Sequence, residues 1–236
     1  MSSRQASGRA STFPAALDGR VQLGAAAWVL TVVFYAGQAA AQVAMRSPYS
    51  LRTSYISDLG RTTCGPVDVG SYHAVICSPL HGVMNAAFVA VGLLMALGAI
   101  GTRRAWPQRR TATWGLALVA IGGLGQLLVG LVPEDANLGL HSAAALLGIP
   151  VPAIGLLLLG SAVWRSGRWV ALLSLLCGAV GLLGFLVFVL VPSSALGAGL
   201  TERVAVYPTT LWTTTVGAYL LWCARSPRVP VPRPAS

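Results

Sequence analysis

Lysine does not occur in this chain: all sixteen basic side chains are arginine, and only six residues are acidic. Charged residues make up 9% against 55% hydrophobic, where soluble domains carry roughly a quarter charged. That shortage excludes one or two ordinary globular domains, although 236 residues would suffice for them. The four cysteines, Cys64, Cys77, Cys177 and Cys223, form no CxxC pair, and no HExxH occurs, so neither common zinc signature is present. No repeat relates the two halves, which leaves an inverted-repeat transporter without support. An all-arginine basic set beside abundant Ala, Gly and Val hints at a GC-rich bacterial genome.

What the chain has instead is apolar runs of about 20 residues, the length a helix needs to cross a hydrocarbon core. They place spans at 21–45, 80–101, 111–132, 140–164, 169–191 and 200–223. The expected fold is all-α: a polytopic membrane protein with one six-helix transmembrane domain over 21–224. A polar arm (1–20) precedes it, and a Pro-rich tail (225–236), extended rather than helical, follows. Connections at 102–110 and 165–168 are short, so the spans they join are antiparallel neighbours. The first run imitates a secretory signal, with Arg4, Arg9 and Arg20 ahead of it and alanines around Ala39 to Ala41. It exceeds the about 7–15 apolar residues of a signal core and carries Gln38 and Gln42, so a retained first helix is expected.

Charge orients the bundle. Arg4, Arg9, Arg20, Arg103, Arg104, Arg109, Arg110, Arg165, Arg168, Arg225, Arg228 and Arg233 fall on one side, with Asp18 the only acid there. The other side holds Arg46, Arg52, Arg61 and Arg203 with Asp58, Asp68, Glu134, Asp135 and Glu202. The positive-inside rule makes the first side, and both termini, cytoplasmic, in a bacterial plasma membrane. The net charge of +10 is therefore topological. It attracts anionic lipid head groups and implies membrane lipids, not nucleic acid, as partners.

The long outer connection, about 46–79, contains Cys64 and Cys77 in an oxidising compartment, where a disulfide is expected over two free thiols. Cys177 and Cys223 fall within spans and behave as small buried hydrophobes. Polar residues within spans are costly and mark function or pairing. Tyr35, Gln38, Gln42 and Arg46 follow helical steps on one face, and His81 and Asn85 share another. Gln126 lies in the outer half of the third span, which ends at Pro133-Glu134-Asp135. His141 and Ser142 open the fourth span, and Glu202 and Arg203 the sixth. Inner halves are nearly all apolar, with Trp28, Trp106, Trp114, Trp164, Trp169 and Trp222 placed as an interfacial belt. A bundle dry toward the cytoplasm with an outward pocket follows, which argues against a channel or proton relay. Pro150 and Pro152 should kink the fourth span and free carbonyls for a neighbouring helix to satisfy.

The expected pocket comprises Gln38, Gln42, Ser57, Asp58, His81, Asn85, Glu134, His141, Glu202 and Arg203. One reading makes it a binding site for a lipid head group or small polar ligand, its charges pairing with one another or holding the outer loop. Asp58 would accept from N–H groups or an Arg, and Glu134 or Glu202 would pair with Arg46 or Arg203. A second reading is a zinc-dependent lipid hydrolase with His81, His141 and Asp58 as ligands and Glu134 or Glu202 as acid/base. Small-solute transport comes third, since the inner half is apolar. His73 reads as a solvated surface residue.

The segments YSLRTSYISDLG (49–60), SPLHGVMNAAF (78–88), LVGLVPED (128–135), LHSAAALLG (140–148) and GLTERV (199–204) resemble the prokaryotic membrane family termed domain of unknown function 998. The Cys64 to Cys77 insert lies outside that pattern. More distantly, the ISD-G segment and the His turn opening a later helix are similar to DRAM/Sfk-type six-helix membrane proteins. The resemblance implies a six-span fold, a loose connection with membrane lipid, and weight on Ser57, Asp58, His81, Asn85, Glu134, His141 and Arg203. It implies no catalytic mechanism.

Overall fold

In lipid every backbone polar group must be satisfied within the chain, so a long apolar run has no alternative to helix. The structure, a computed structural model, describes residues 13–191 and 196–226. Most of the polar arm and of the Pro-rich tail, with Arg4, Arg9, Arg228 and Arg233, lies outside the described residues. Among the described residues, five helical stretches are long and apolar enough to cross a membrane: Gly19–Val43, His81–Ala105, Arg110–Leu131, Leu138–Val163 and Arg168–Leu190. The first divides into α1 (Gly19–Leu30) and α2 (Val33–Val43). Next come α3 (His81–Thr102) and α4 (Arg110–Leu131). The fourth divides into α5 (Leu138–Gly148) and α6 (Pro150–Val163), and α7 (Arg168–Leu190) is the fifth.

The last helix, α8 (Ala198–Arg225), is long enough to cross but more polar than the others. Its polarity is turned inward: Thr201, Glu202, Arg203, Thr209, Thr210 and Thr213 are all buried, while Leu200, Leu211 and Trp222 are exposed. Averaged hydropathy therefore understates how apolar its outer face is. Helix packing closes a ring, α1 on α3, α3 on α4, α4 on α6, α6 on α7, α7 on α8, and α8 on α1. Both short connections, after α3 and after α6, join packed neighbours as their lengths require. Glycine makes the closest crossings possible. A Cβ added at Gly92 would lie 2.5 Å from the Leu127 amide nitrogen of α4, and one at Gly24 would lie 2.7 Å from Gly101 of α3.

The break between α5 and α6 has a chemical cause. Pro150 opens α6, and Pro152 cannot donate to the Gly148 carbonyl four residues earlier. Gln126 of α4 supplies the missing donor, its Nε2 reaching that carbonyl at 3.1 Å. The expected kink and the expected satisfaction by a neighbouring helix are thus one arrangement. Pro152 itself packs where Gly122 leaves room for its ring.

At the arginine-rich end the bundle is plugged. Trp28, Trp106 and Trp212 are fully buried, with ring centroids 5.1 Å apart for Trp28–Trp212 and 6.0 Å for Trp106–Trp212. Phe13 covers Trp106 at 4.7 Å, and the irregular segment before α1 is tied down by Phe13 N to Ser166 O and Ala15 N to Ala105 O. This corrects the belt assignment for Trp28 and Trp106, which are core residues. Trp114, Trp169 and Trp222 are exposed, and Trp164 lies partly buried beneath the Arg168 guanidinium.

At the opposite end, the connection between α2 and α3 contains a 3-10 turn, Ser57–Gly60, and a hairpin not anticipated from sequence. Its strands are β1 (Gly65–Val69) and β2 (Tyr72–Ile76), joined through Gly70 at φ 60°. A two-residue turn opened by glycine at positive φ suits the twist of a hairpin. A disulfide joins Cys64 and Cys77 across the base of the hairpin.

Because α3 and α4 touch through glycine backbone, Gly92→Val should force them apart and lower stability by about 1–3 kcal/mol. Thermal unfolding of the purified variant in detergent checks this, and an unchanged midpoint would refute the close crossing.

Candidate functional site

Glu202 and Arg203, near the start of α8, hold the loop between α2 and α3 by its backbone. Arg203 Nη1 donates to the carbonyls of Leu51 at 3.0 Å, Ser54 at 2.9 Å and Gly199 at 2.7 Å. Its Nη2 donates to the Tyr49 hydroxyl at 2.5 Å, and that hydroxyl donates to Tyr55 O at 2.9 Å. Glu202, one position earlier, accepts from the Ile56 amide on Oε2 at 2.5 Å. Carbonyls and amides buried in an irregular segment need such partners, because no helix or sheet ladder supplies them. The planar head of Arg203 serves the carbonyls through Nη1 and the Tyr49 hydroxyl through Nη2 at once, a fork that the single nitrogen of a lysine does not present. Gly199 has no side chain to obstruct this arrangement, since a Cβ there would collide with the Ser54 carbonyl.

The 3-10 turn is held from the other side by α3 and its approach. Ser78 Oγ donates to Leu59 O at 2.7 Å, and Asn85 Nδ2 donates to Gly60 O at 2.9 Å. Asp58 is fully buried. It accepts on Oδ2 from the Tyr55 amide at 2.8 Å and from the Tyr72 hydroxyl at 2.5 Å. The carboxylate of Asp135, after α4, accepts on one oxygen from the amides and hydroxyls of Thr62 and Thr63, all at 2.8–2.9 Å. Next to it, Glu134 Oε1 pairs with Arg61 Nη1 at 3.3 Å. The ISDLG, SPLH, PED and TER segments, scattered along the chain, therefore meet as one polar assembly.

Beside this assembly, between α5 and α7, is a cavity of about 360 Å³. Ser57, Arg61, Tyr72, Glu134, His141 and Glu202 line its polar part, and Leu146, Ile149, Phe185 and Phe188 its apolar part. Leu138, His141, Ser142, Ala145, Leu146 and Ile149 follow one another down one face of α5, so depth along that helix is depth in the cavity. The apolar residues at Ile149 and Phe185 are thus deepest, and the charges lie at the loop end.

With that geometry in view, a family described as a protein of unknown function, DUF998, matches residues 25–219. The chain belongs to this family. None of the curated proteins and none of the solved structures matches the chain. The more distant likeness to DRAM/Sfk-type proteins is not reproduced among these comparisons. DUF998 membership covers every segment of the polar assembly, from ISDLG to TER.

Of the residues expected in the pocket, Ser57, Glu134, His141 and Glu202 line the cavity. Asp58, Asn85 and Arg203 lie behind it, holding the loop. Gln38 is buried against Tyr207, exchanging hydrogen bonds of 2.6 and 2.9 Å with its hydroxyl, and Gln42 is partly buried away from the cavity. His81 points its Nδ1 at Ser78 O, 3.0 Å away, and does not line the cavity. His141 directs Nδ1 to Val132 O at 2.8 Å. The zinc set of His81, His141 and Asp58 is accordingly not assembled: among the described residues no three His, Cys, Asp or Glu side chains converge as ligands. Among the described residues neither Arg46 nor Arg203 pairs with an acid as expected; the Glu134 partner is Arg61, and the Glu202 partner is a backbone amide. His73 is exposed but not unpartnered, with Nδ1 2.7 Å from Asp68 across the hairpin.

Sequence reasoning missed Arg61, Tyr55, Tyr72, Phe185 and Phe188 as cavity residues. Tyr72 and Arg61 carried a signal, being a hydroxyl and a cation within reach of the ISDLG segment in sequence. Nothing local marks Phe185 and Phe188, whose role depends on which helix stands opposite α5.

Burial pushes the Asp58 carboxyl from its ordinary 3.8 up to about 7, with the Tyr72 hydrogen bond opposing and the charge of Glu134 adding to the rise. For Asp135 desolvation is outweighed by its four threonine donors, which hold it below the usual carboxylate range. Between 3.8 and about 7 the folded chain keeps an Asp58 proton that the unfolded chain has released. Stability due to this group therefore falls as pH rises through that window. Asp58→Asn keeps an oxygen for Tyr55 and Tyr72 but cannot ionise. Comparing denaturation of both proteins across the window should show the wild-type's extra decline absent in the variant; parallel pH profiles would contradict the assignment.

Proposed function

We propose that the protein is a six-span bacterial plasma-membrane protein, α8 being the sixth span, that binds an amphiphilic molecule in the cavity between α5 and α7. The basic ends of the helices, from Arg20 and Arg103 to Arg168 and Arg225, then face the cytoplasm with both termini. The assembly around Asp58 and Glu202 lies at the exoplasmic boundary. Binding cavities are largely apolar with a few well-placed polar groups, and this one matches that description.

The observation that carries the reading is the gradient within a single cavity of about 360 Å³. Its loop end offers Arg61, Glu134, Ser57, Glu202 and His141, while its deep end is built by Ile149, Phe185 and neighbouring aliphatic residues. A head group fits the first and a hydrocarbon tail the second. Flanking residues of α5 and α7, such as Leu147 and Leu183, are exposed on the helix surface that lipid would cover. A molecule dissolved in the bilayer therefore has a short route in. The scattered zinc set gives no comparable support to hydrolysis, and the aromatic plug at the other end gives none to transport.

Ala145 lies midway along the cavity face of α5, and Ala145→Trp would fill it. Native mass spectrometry of the full chain extracted gently from membranes should show a lipid-sized adduct that this variant lacks while still folding. An adduct retained equally by the filled variant, or none on the wild-type, would overturn the proposal.

A further inference from the structure

We infer that the arginine-rich end binds the phosphate of an anionic phospholipid, in a hollow between the end of α3 and the start of α4. The burial of Trp106 gathers the charge of this hollow. Its ring is fully buried in the aromatic plug. The chain on either side turns tightly, Trp106 N donating to Arg103 O at 3.2 Å and Arg109 N to Pro107 O at 2.8 Å. The flanking arginines are thereby drawn about one opening. Arg103, Arg109 and Arg110, with Gln108, Thr113 and Trp114, line a hollow of about 500 Å³. Like charges so placed repel one another unless an anion stands among them.

The chain has no acidic side chain left to supply that anion. Only six of its residues are acidic. Asp58, Asp68, Glu134, Asp135 and Glu202 are held at the opposite end, in and around the α2–α3 loop. Asp18 is the one acid here, and both its oxygens are committed. Its Oδ1 accepts from the Val21 amide at 3.0 Å, and its Oδ2 from Arg104 Nη1 at 2.9 Å. Arg103, Arg109 and Arg110 have neither an ion pair nor a side-chain hydrogen bond among the described residues. Guanidinium groups match phosphate, whose oxygens take N–H donors in pairs. The surroundings favour a phosphate carried on a lipid. Trp114, part of the lining, is 62% exposed, and Ile100, one turn before Arg103 on α3, is 68% exposed. The loop joins two membrane-long stretches, so these apolar side chains continue from the hollow along the surface that acyl chains would cover. Basic pockets beside membrane spans recognise acidic head groups in this way. The site is separate from the cavity between α5 and α7 and does not rest on it.

The test uses the full chain, delipidated in detergent and titrated by native mass spectrometry with short-chain phosphatidylglycerol and phosphatidylcholine, inorganic phosphate serving as competitor. Phosphatidylglycerol should bind at least about tenfold more tightly than phosphatidylcholine, the size to which a few membrane-adjacent arginines add up. The double variant Arg109→Gln/Arg110→Gln should remove that preference. Both side chains are exposed and unpartnered among the described residues, so its thermal midpoint should stay where it is. Arg165→Gln/Arg225→Gln takes two charges from the same end but none from the hollow, and it should keep the preference. Ala145→Trp, which fills the cavity between α5 and α7, should keep it too. Equal binding of the two lipids overturns the inference, as does a preference that survives Arg109→Gln/Arg110→Gln. Equal loss in Arg165→Gln/Arg225→Gln would reduce the hollow to a general basic surface, and loss in Ala145→Trp would assign the lipid to the other cavity; either overturns it. Displacement of the lipid by inorganic phosphate at matching concentration would overturn the assignment to a lipid.

Discussion

Capture of the α2–α3 loop's backbone by Glu202 and Arg203 is the constraint on which this end of the molecule depends. Between α2 and α3 the chain leaves regular structure while partly buried, where unpaired carbonyls and amides are expensive. Arg203 answers two carbonyls there, of Leu51 and Ser54, and Glu202 one amide. Ser78, Asn85 and Asp58 answer others within the next few residues. Once the loop is fixed, Ser57, Arg61 and Tyr72 are carried to the mouth of the α5–α7 cavity. Removing the capture would release the wall of the cavity, not merely a surface loop.

The two ends of the bundle solve opposite problems. One is closed by Trp28, Trp106 and Trp212, strapped by Phe13. The other keeps polar groups inside and stays open between two helices. The break in the fourth membrane-long stretch serves this division, because α5 can diverge from the line of α6 once Pro152 has removed a helical hydrogen bond. Gln126 makes the break tolerable. Thus a side chain that looks like a pocket residue by position is part of the frame.

Much of the helical scaffold was legible because hydropathy periodicity and span length are set by the bilayer, not by partners. Glu202 and Arg203 at the start of α8 were legible as a polar pair, though that Arg203 turns to the loop carbonyls was not. Side-chain direction was the weak point. His81 and Asn85 share a helix face in sequence, yet Asn85 reaches the Gly60 carbonyl while His81 folds back on Ser78. Trp28 and Trp106 stand at a membrane interface in sequence, and a core plug at that depth has the same composition. The hairpin at 65–76 escaped notice because five-residue strands with mixed alternation leave little periodic signal. Pairings across the bundle, such as Glu134 with Arg61, depend on helix neighbours that one sequence does not specify.

The most direct test of the loop capture is amide hydrogen exchange, read by mass spectrometry over residues 49–61 in the wild-type and in Arg203→Lys. The account predicts that the Tyr55 and Ile56 amides exchange as slowly as the interiors of α3 and α4 in the wild-type, and markedly faster in the variant. Exchange at open-loop rates in the wild-type, or protection indifferent to Arg203, would contradict it.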